Sequence, residues 1–142
     1  ARKGCWTKTK PSKAQQADIS VGFKLTKEIG KLDIGQCIVM GGGSVLAVEA
    51  IDGTDATIRR GGTLGKGDAV VIKASKPIQD MRFDVPAVGL TTLRTMLESG
   101  ASVLVVEADK TVVFDRKDMV EFADRHKMAI VAVDEADFPD TP

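Results

Sequence analysis

Apolar and polar positions alternate along this chain with two different periods, and the changes of period divide it into elements. Gly22, Leu25, Ile29 and Leu32 recur at spacings of three and four, with Ile19 and Phe23 beside them. That is the rhythm of one helix face, and Ser12 stands where an N-cap belongs, so a helix is expected from there to about Leu32. Two short apolar runs follow, Gln36-Cys37-Ile38-Val39-Met40 and Ser44-Val45-Leu46-Ala47-Val48, separated by Gly41, Gly42 and Gly43. They predict a β-hairpin, and their near-continuous apolar character implies cover on both faces. Gly53 to Arg60 predicts a short helix with Thr54 or Asp55 near its start, after which Gly61, Gly62, Gly65 and Gly67 break the chain. Ala69 to Ala74 reads as a strand. Leu90, Leu93 and Leu97 mark a helix that ends at Gly100, a suitable C′ glycine. Ser102 to Glu107 is a strand that turns through Ala108-Asp109-Lys110 into a second one, Thr111 to Phe114. Asp115 is placed to cap a helix carrying Met119, Phe122 and Ala123, and Ala129 to Val133 forms the last strand. Strand, turn, strand, helix thus occurs at 36–60 and again at 102–126, an echo of pattern without identity. Hairpins mixed with covering helices give an α/β class, one domain built on a mixed sheet.

Composition narrows the functional classes. With 142 residues and 43% hydrophobic content the chain can bury a core of its own. Equal numbers of acids and bases leave no global field to attract nucleic acid. A lone Trp6 and no tyrosine supply no stacking platform for single strands. Charge is uneven along the chain. Eight basic residues face two acids between Ala1 and Lys31, and the tail from Asp134 has four acids and no base. A basic start suits phosphates or an anionic membrane surface, and it suits a solvated face as well. Cys5 and Cys37 make neither a disulfide framework nor a zinc motif. No apolar run approaches the roughly 18–20 residues of a membrane span. The first sixteen residues carry almost nothing apolar except Trp6, so 1–16 is expected to be a linker remnant, 17–137 the folded domain and 138–142 a tail. On that reading the chain is the C-terminal half of a two-domain protein.

Two segments carry the chemistry. Between Lys73 and Pro86 stand Lys73, Lys76, Pro77, Gln79, Asp80, Arg82, Phe83 and Asp84. Pro77 and Pro86 lack a donor and disfavour helix before them, which predicts an ordered charged loop. Val48-Glu49-Ala50-Ile51-Asp52-Gly53-Thr54-Asp55 sets three more carboxylates beside a glycine. Asp55, Asp80 and Asp84 suit a hard cation such as Mg²⁺, which takes one or two carboxylates plus water and phosphate oxygens. Lys73, Lys76 and Arg82 suit a diphosphate. The plainer alternative is that these acids pair with Arg82, Lys76 or Arg59, or cap helices, and that Glu49 or Asp52 is structural. Gly41–Gly43 carries no Walker signature and reads as a hairpin turn. His126, the single histidine, falls near a helix end and excludes a histidine-rich two-metal site.

These residues are similar to a known family. The chain resembles the C-terminal half of the LpxI-type UDP-2,3-diacylglucosamine pyrophosphatases through Leu32-Asp33-Ile34-Gly35-Gln36, through Val45 to Asp55, and through Lys73, Lys76-Pro77, Gln79-Asp80, Arg82-Phe83-Asp84, Pro86 and Gly89. Weaker matches are Val105-Val106-Glu107-Ala108 and Phe114-Asp115, and the family carries glutamate where this chain has Asp52. The resemblance implies Mg²⁺-dependent hydrolysis of the UDP-2,3-diacylglucosamine diphosphate to UMP and 2,3-diacylglucosamine 1-phosphate (lipid X), by attack of water at the α-phosphorus. It implies a step of lipid A synthesis in Gram-negative bacteria, carried out by a homodimer that is cytoplasmic and peripheral to the inner membrane, with no nucleic-acid partner. It also implies an N-terminal domain that shares the lipid substrate and is needed for activity. By motif, Asp80 and Asp84 are expected to act in catalysis. Asp55, Asp80, Asp84 and Glu49 would take the metal, and Lys73, Lys76, Gln79, Arg82 and Thr54 the substrate. The competing expectation is a module that binds a nucleotide sugar or phospholipid without catalysis, or a dimerisation domain.

Overall fold

A computed structural model describes residues 2–77 and 85–139. Ser12 closes the polar lead-in with a capping box. Its Oγ accepts from the Gln15 N–H at 3.1 Å, and its own N–H donates to Gln15 Oε1 at 3.0 Å. Helix α1 (Lys13–Lys31) follows. Its buried stripe is Asp18, Ile19, Gly22, Phe23, Thr26 and Gly30, rotated from the face expected. Leu25 is 37% and Leu32 70% exposed. The rotation centres on Gly22, where any Cβ would collide with the Ile72 and Met40 side chains. A bare helix surface there lets α1 lie close on the sheet.

The sheet has six strands: β1 (Gly4–Cys5), β2 (Cys37–Gly41), β3 (Ser44–Val48), β4 (Ala69–Lys73), β6 (Ala101–Glu107) and β8 (Ala129–Val133). Their order is β1-β8-β6-β4-β2-β3, with β4, β6 and β8 parallel to one another and β1, β2 and β3 antiparallel to their neighbours. Period-two alternation sorts the side chains. Ile38, Met40, Val70, Ile72, Val103 and Val105 face α1. The intervening Val39, Val71, Leu104 and Ile130 face three helices, α2 (Thr54–Leu64), α3 (Leu90–Ser99) and α4 (Arg116–Arg125). The result is a mixed α/β sandwich, as the sequence predicts. The β2–β3 hairpin also forms, turning on Gly42 and Gly43 at φ 57° and 82°, the left-handed geometry that tight hairpins require. Cover on both faces holds for β2 and fails for β3, whose edge position leaves Ser44 and Val45 exposed.

Three further expectations change. Helix α2 does not stop at Arg60 but continues through Gly61 and Gly62. A Cβ at Gly61 would lie 2.5 Å from Val39 Cβ, and one at Gly62 2.5 Å from Ser99 Oγ. These glycines are sites of close packing, not breaks. The order strand, turn, strand, helix at 102–126 is present, but its two strands do not pair with each other. β7 (Val112–Val113) pairs in parallel with β5 (Ala87–Val88) in a separate two-stranded ribbon, and Ala108 N–H continues the β6–β8 pairing by donating to Val133 O. Asp115 stands at the α4 N-cap in left-handed geometry and its side chain caps nothing.

The stretch anticipated as a linker remnant is woven into the domain. β1 pairs with β8, Trp6 N–H donates to Ile130 O at 2.9 Å, and Thr7 Oγ1 accepts from Ile130 N–H at 3.1 Å. The Arg116 guanidinium sits 4.0 Å above the Trp6 ring, within cation–π range. His126 ends α4 and packs its ring 4.5 Å from that of Phe122. Among the described residues no helix is long and apolar enough to cross a membrane.

Candidate functional site

Parallel strands β4, β6 and β8 end together, and their carboxyl ends define one rim of the sheet. Because β2 runs against β4, and β3 against β2, the start of β2 and the end of β3 lie on the same rim. Open α/β sheets bind ligands outside such carboxyl ends. Helices α2, α3 and α4 begin on this side. Their N-cap residues are Gly53, Gly89 and Asp115, none of which offers a side-chain acceptor to the first turn. Three helix amino ends therefore leave positive backbone charge towards the rim.

Glu49 leaves the end of β3 and is almost buried. One of its oxygens accepts from Gln36 N–H at 2.7 Å, and the other accepts a short hydrogen bond from Thr54 Oγ1. The carboxylate thus ties the entry to β2 to the first residue of α2. Gly35 is indispensable to this contact, since a Cβ there would run into the Glu49 carbonyl. Asp55, in the first turn of α2, is exposed, and no hydrogen bond or ion pair engages its carboxylate among the described residues. Cys37 lies beneath this group. Burial pushes its thiol up to about 12, with Glu49 and Asp55 acting in the same sense and Lys73 opposing them. The thiol therefore feels Glu49, Asp55 and Lys73 together. Lys73, the last residue of β4, donates to Ala87 O at 2.9 Å.

A second cluster follows immediately after β4. Glu107 ends β6 and is 1% exposed. Its Oε1 accepts from Ser75 N–H at 2.9 Å, from Ser75 Oγ at 2.6 Å and from Lys27 Nζ at 3.1 Å. Lys27 Nζ also donates to Glu107 Oε2 at 3.2 Å, to Ser75 O at 2.9 Å and to Ser75 Oγ at 3.1 Å. A buried charge is tolerable only when paired and hydrogen-bonded, and this one is both. Next along the chain, Lys76 reaches Asp33 at 3.0 Å. Asp52 turns away from the cluster. It accepts from the Ala50 N–H and pairs with Arg60 at 3.2 Å, and those two contacts hold its carboxyl below the usual range.

The structure brings Glu49, Thr54, Asp55 and Lys73 together at this rim, and places Lys76 three residues beyond the end of β4, on Asp33. Gln79, Asp80, Arg82 and Asp84 lie outside the described residues. Among the described residues no three His, Cys, Asp or Glu side chains converge as a metal cage. Asp55 supplies one unengaged carboxylate, which fits an ion held mostly by water and phosphate oxygens. Sequence reasoning missed Glu107, Lys27 and Ser75 as a unit. The available signal was a carboxylate closing the apolar run of β6, at a position where a strand between two covered neighbours has no water to meet.

Comparison with known proteins identifies the family. A family model described as the LpxI C-terminal domain matches residues 2–131. The chain is also similar to a protein of Caulobacter vibrioides named UDP-2,3-diacylglucosamine pyrophosphatase LpxI, with 38% identity over 140 residues. That match covers 93% of this chain and 50% of the relative, so the chain spans about half the length of the curated relative it matches.

Proposed function

The chain belongs to the LpxI family, and from that premise we propose that it is the nucleotide-diphosphate half of a UDP-2,3-diacylglucosamine pyrophosphatase acting in lipid A biosynthesis. The observation that carries the reading is the meeting, at one sheet rim, of two segments far apart in sequence. Glu49, Thr54 and Asp55 arrive from the β3–α2 connection, and Lys73 and Lys76 from the end of β4. Cationic side chains and three helix amino ends favour a doubly charged anhydride there. Hydrolysis adds water at the α-phosphorus, breaks its bond to the bridging oxygen and releases UMP and the diacylglucosamine 1-phosphate. Such displacements need positioning and charge neutralisation more than covalent help.

In this reading Lys73 and Lys76 contact the diphosphate, joined by Gln79 and Arg82. Asp55, Asp80 and Asp84 would hold Mg²⁺, which when bound neutralises charge on the transferring phosphoryl group. Glu49 acts from behind, fixing Thr54 and the start of α2 rather than meeting substrate. Asp80 and Asp84 are the candidates for orienting water. The full-length protein is proposed to work as a homodimer at the cytoplasmic surface of the inner membrane.

The test is turnover of UDP-2,3-diacylglucosamine by the full-length protein with Mg²⁺ and with EDTA, alongside Asp80→Ala. Loss of most of the rate in the variant and in EDTA is expected. Turnover unchanged by Asp80→Ala defeats the assignment. Nucleotide binding that ignores the metal, without hydrolysis, marks a binding module instead.

A further inference from the structure

The Glu107 cluster is larger than the fold requires. The end of β6 could have been closed by an apolar residue, as β8 is by Val133, whereas here a carboxylate is buried with a lysine brought from α1 to neutralise it. Apart from the longer contacts of Lys27 with Glu135 at 3.6 Å and of Glu107 with Lys110 at 3.9 Å, everything the pair holds belongs to one residue. Ser75 is bonded at its N–H, its carbonyl and its hydroxyl, all within 3.1 Å of Glu107 or Lys27. Its neighbour Ala74 is fixed by an N–H bond to Gln36 O. On the other side α1 presses against Lys76 through Gly30, where a Cβ would lie 3.5 Å from Lys76 Cα. The backbone that carries Lys76 is thereby clamped from β6, from α1 and from the start of β2. The Lys76 side chain itself is 24% exposed and rests on Asp33, an exposed partner that a phosphate could replace.

We propose that Glu107, with Lys27 and Ser75, is a positioning group that sets the Lys76 ammonium for the diphosphate, without touching substrate itself. The proposal rests on the hydrolase reading for its substrate and on the hydrogen-bond geometry for its mechanism. A lysine on a four-carbon stem loses much freedom when it grips a phosphate. Fixing its backbone beforehand removes part of that loss and holds the ammonium where the reacting phosphate passes. The cluster would act through Lys76 and through nothing else at the rim.

A double-mutant cycle separates this from a role in stability alone. In the full-length enzyme Glu107→Ala is expected to lower kcat/KM by on the order of 30-fold. In a Lys76→Ala background the same change is expected to cost less than about threefold, since the group it positions is gone. Glu107→Gln keeps an oxygen for the Ser75 N–H and is expected to retain most of the activity. An equal loss from Glu107→Ala in both backgrounds overturns the proposal, because a merely structural role is indifferent to Lys76. Should Glu107→Ala fail to fold, Ser75→Ala is carried through the same cycle. Calorimetric affinity for UDP is measured on all four proteins of the cycle. If the wild type does not hydrolyse the lipid substrate, the hydrolase reading falls and the coupling in UDP affinity decides the positioning role. A wild type that does not bind UDP, or affinities without coupling, overturns it.

Discussion

The two ends of the sheet teach opposite lessons about where function resides. The amino ends of β4, β6 and β8 border a hollow of about 420 Å³, lined by polar and small residues such as Gln15, Asp68, Ser102 and His126. Part of its polar lining is already committed: the Gln15 amide donates to Asp68 O and Ser102 Oγ at 3.1 Å each, closing the capping box of α1 onto the sheet. The carboxyl rim gathers Lys73, Lys76, Glu49, Asp55 and Glu107 together with three helix amino ends. Volume marks where chain packing is loose, whereas convergent charge on rigid elements marks where a ligand can be held.

This contrast can be broken most directly by activity. If the proposed hydrolysis holds, Lys76→Ala in the full-length protein is expected to lower kcat/KM on the order of 100-fold, as removal of a charge-stabilising donor does elsewhere. His126→Ala at the opposite end should leave the same parameter within about twofold. Steady-state assays on the two variants check this, and equal losses would erase the distinction between the ends. Stability gives the next test. Gly35→Ala drives a methyl into the Glu49 carbonyl and is expected to cost about 1–3 kcal/mol, read as a shift in the urea midpoint.

A smaller effect is expected at Thr54. Thr54→Val removes the donor from buried Glu49 and should cost about 1–2 kcal/mol by the same measurement. Below that comes a pH effect beneath the rim. The Cys37 thiol rises from 9.0 to about 12 on folding, so its contribution to stability is complete below pH 9 and declines as pH climbs towards 12. The stability difference between wild type and Cys37→Ala should be level up to about pH 8 and narrow above 9. A thiol reagent at neutral pH should meanwhile titrate Cys5 quickly and Cys37 only after unfolding. Asp52→Asn should be the mildest change, with no detectable shift in midpoint or rate, because its partners are Arg60 and a local backbone N–H on the surface.

Much of the fold was legible because local rules decide it. Ser12 and Gln15 make a capping box from side chains three residues apart, and Gly100 ends α3 at φ 100° where the apolar spacing stops. The sites of error are those where a distant residue decides. Gly61 and Gly62 look like breakers until Val39 and Ser99 are seen against them, and Leu25 looks buried until Gly22 is seen to set the contact face of α1. The segment 111–114 resembles the return strand of a hairpin, yet its partner is β5, more than twenty residues earlier. At the site, Glu49 and Asp55 belong to one sequence motif. Only the fold distinguishes a nearly buried carboxylate with two donors from an exposed one held by none among the described residues.

Residue order alone determined the α/β class, nearly every element of the main sheet, and the two charged segments that resemble the LpxI family. These follow from periodicity, caps and motif spacing, all of which act over a few residues. Strand order, the parallel neighbours of β6 and the junction of Lys27, Ser75 and Glu107 were decided by tertiary structure. They join residues 32, 48 and 80 positions apart, and the burial that makes an ion pair there consequential exists only once α1 and the sheet have closed over it.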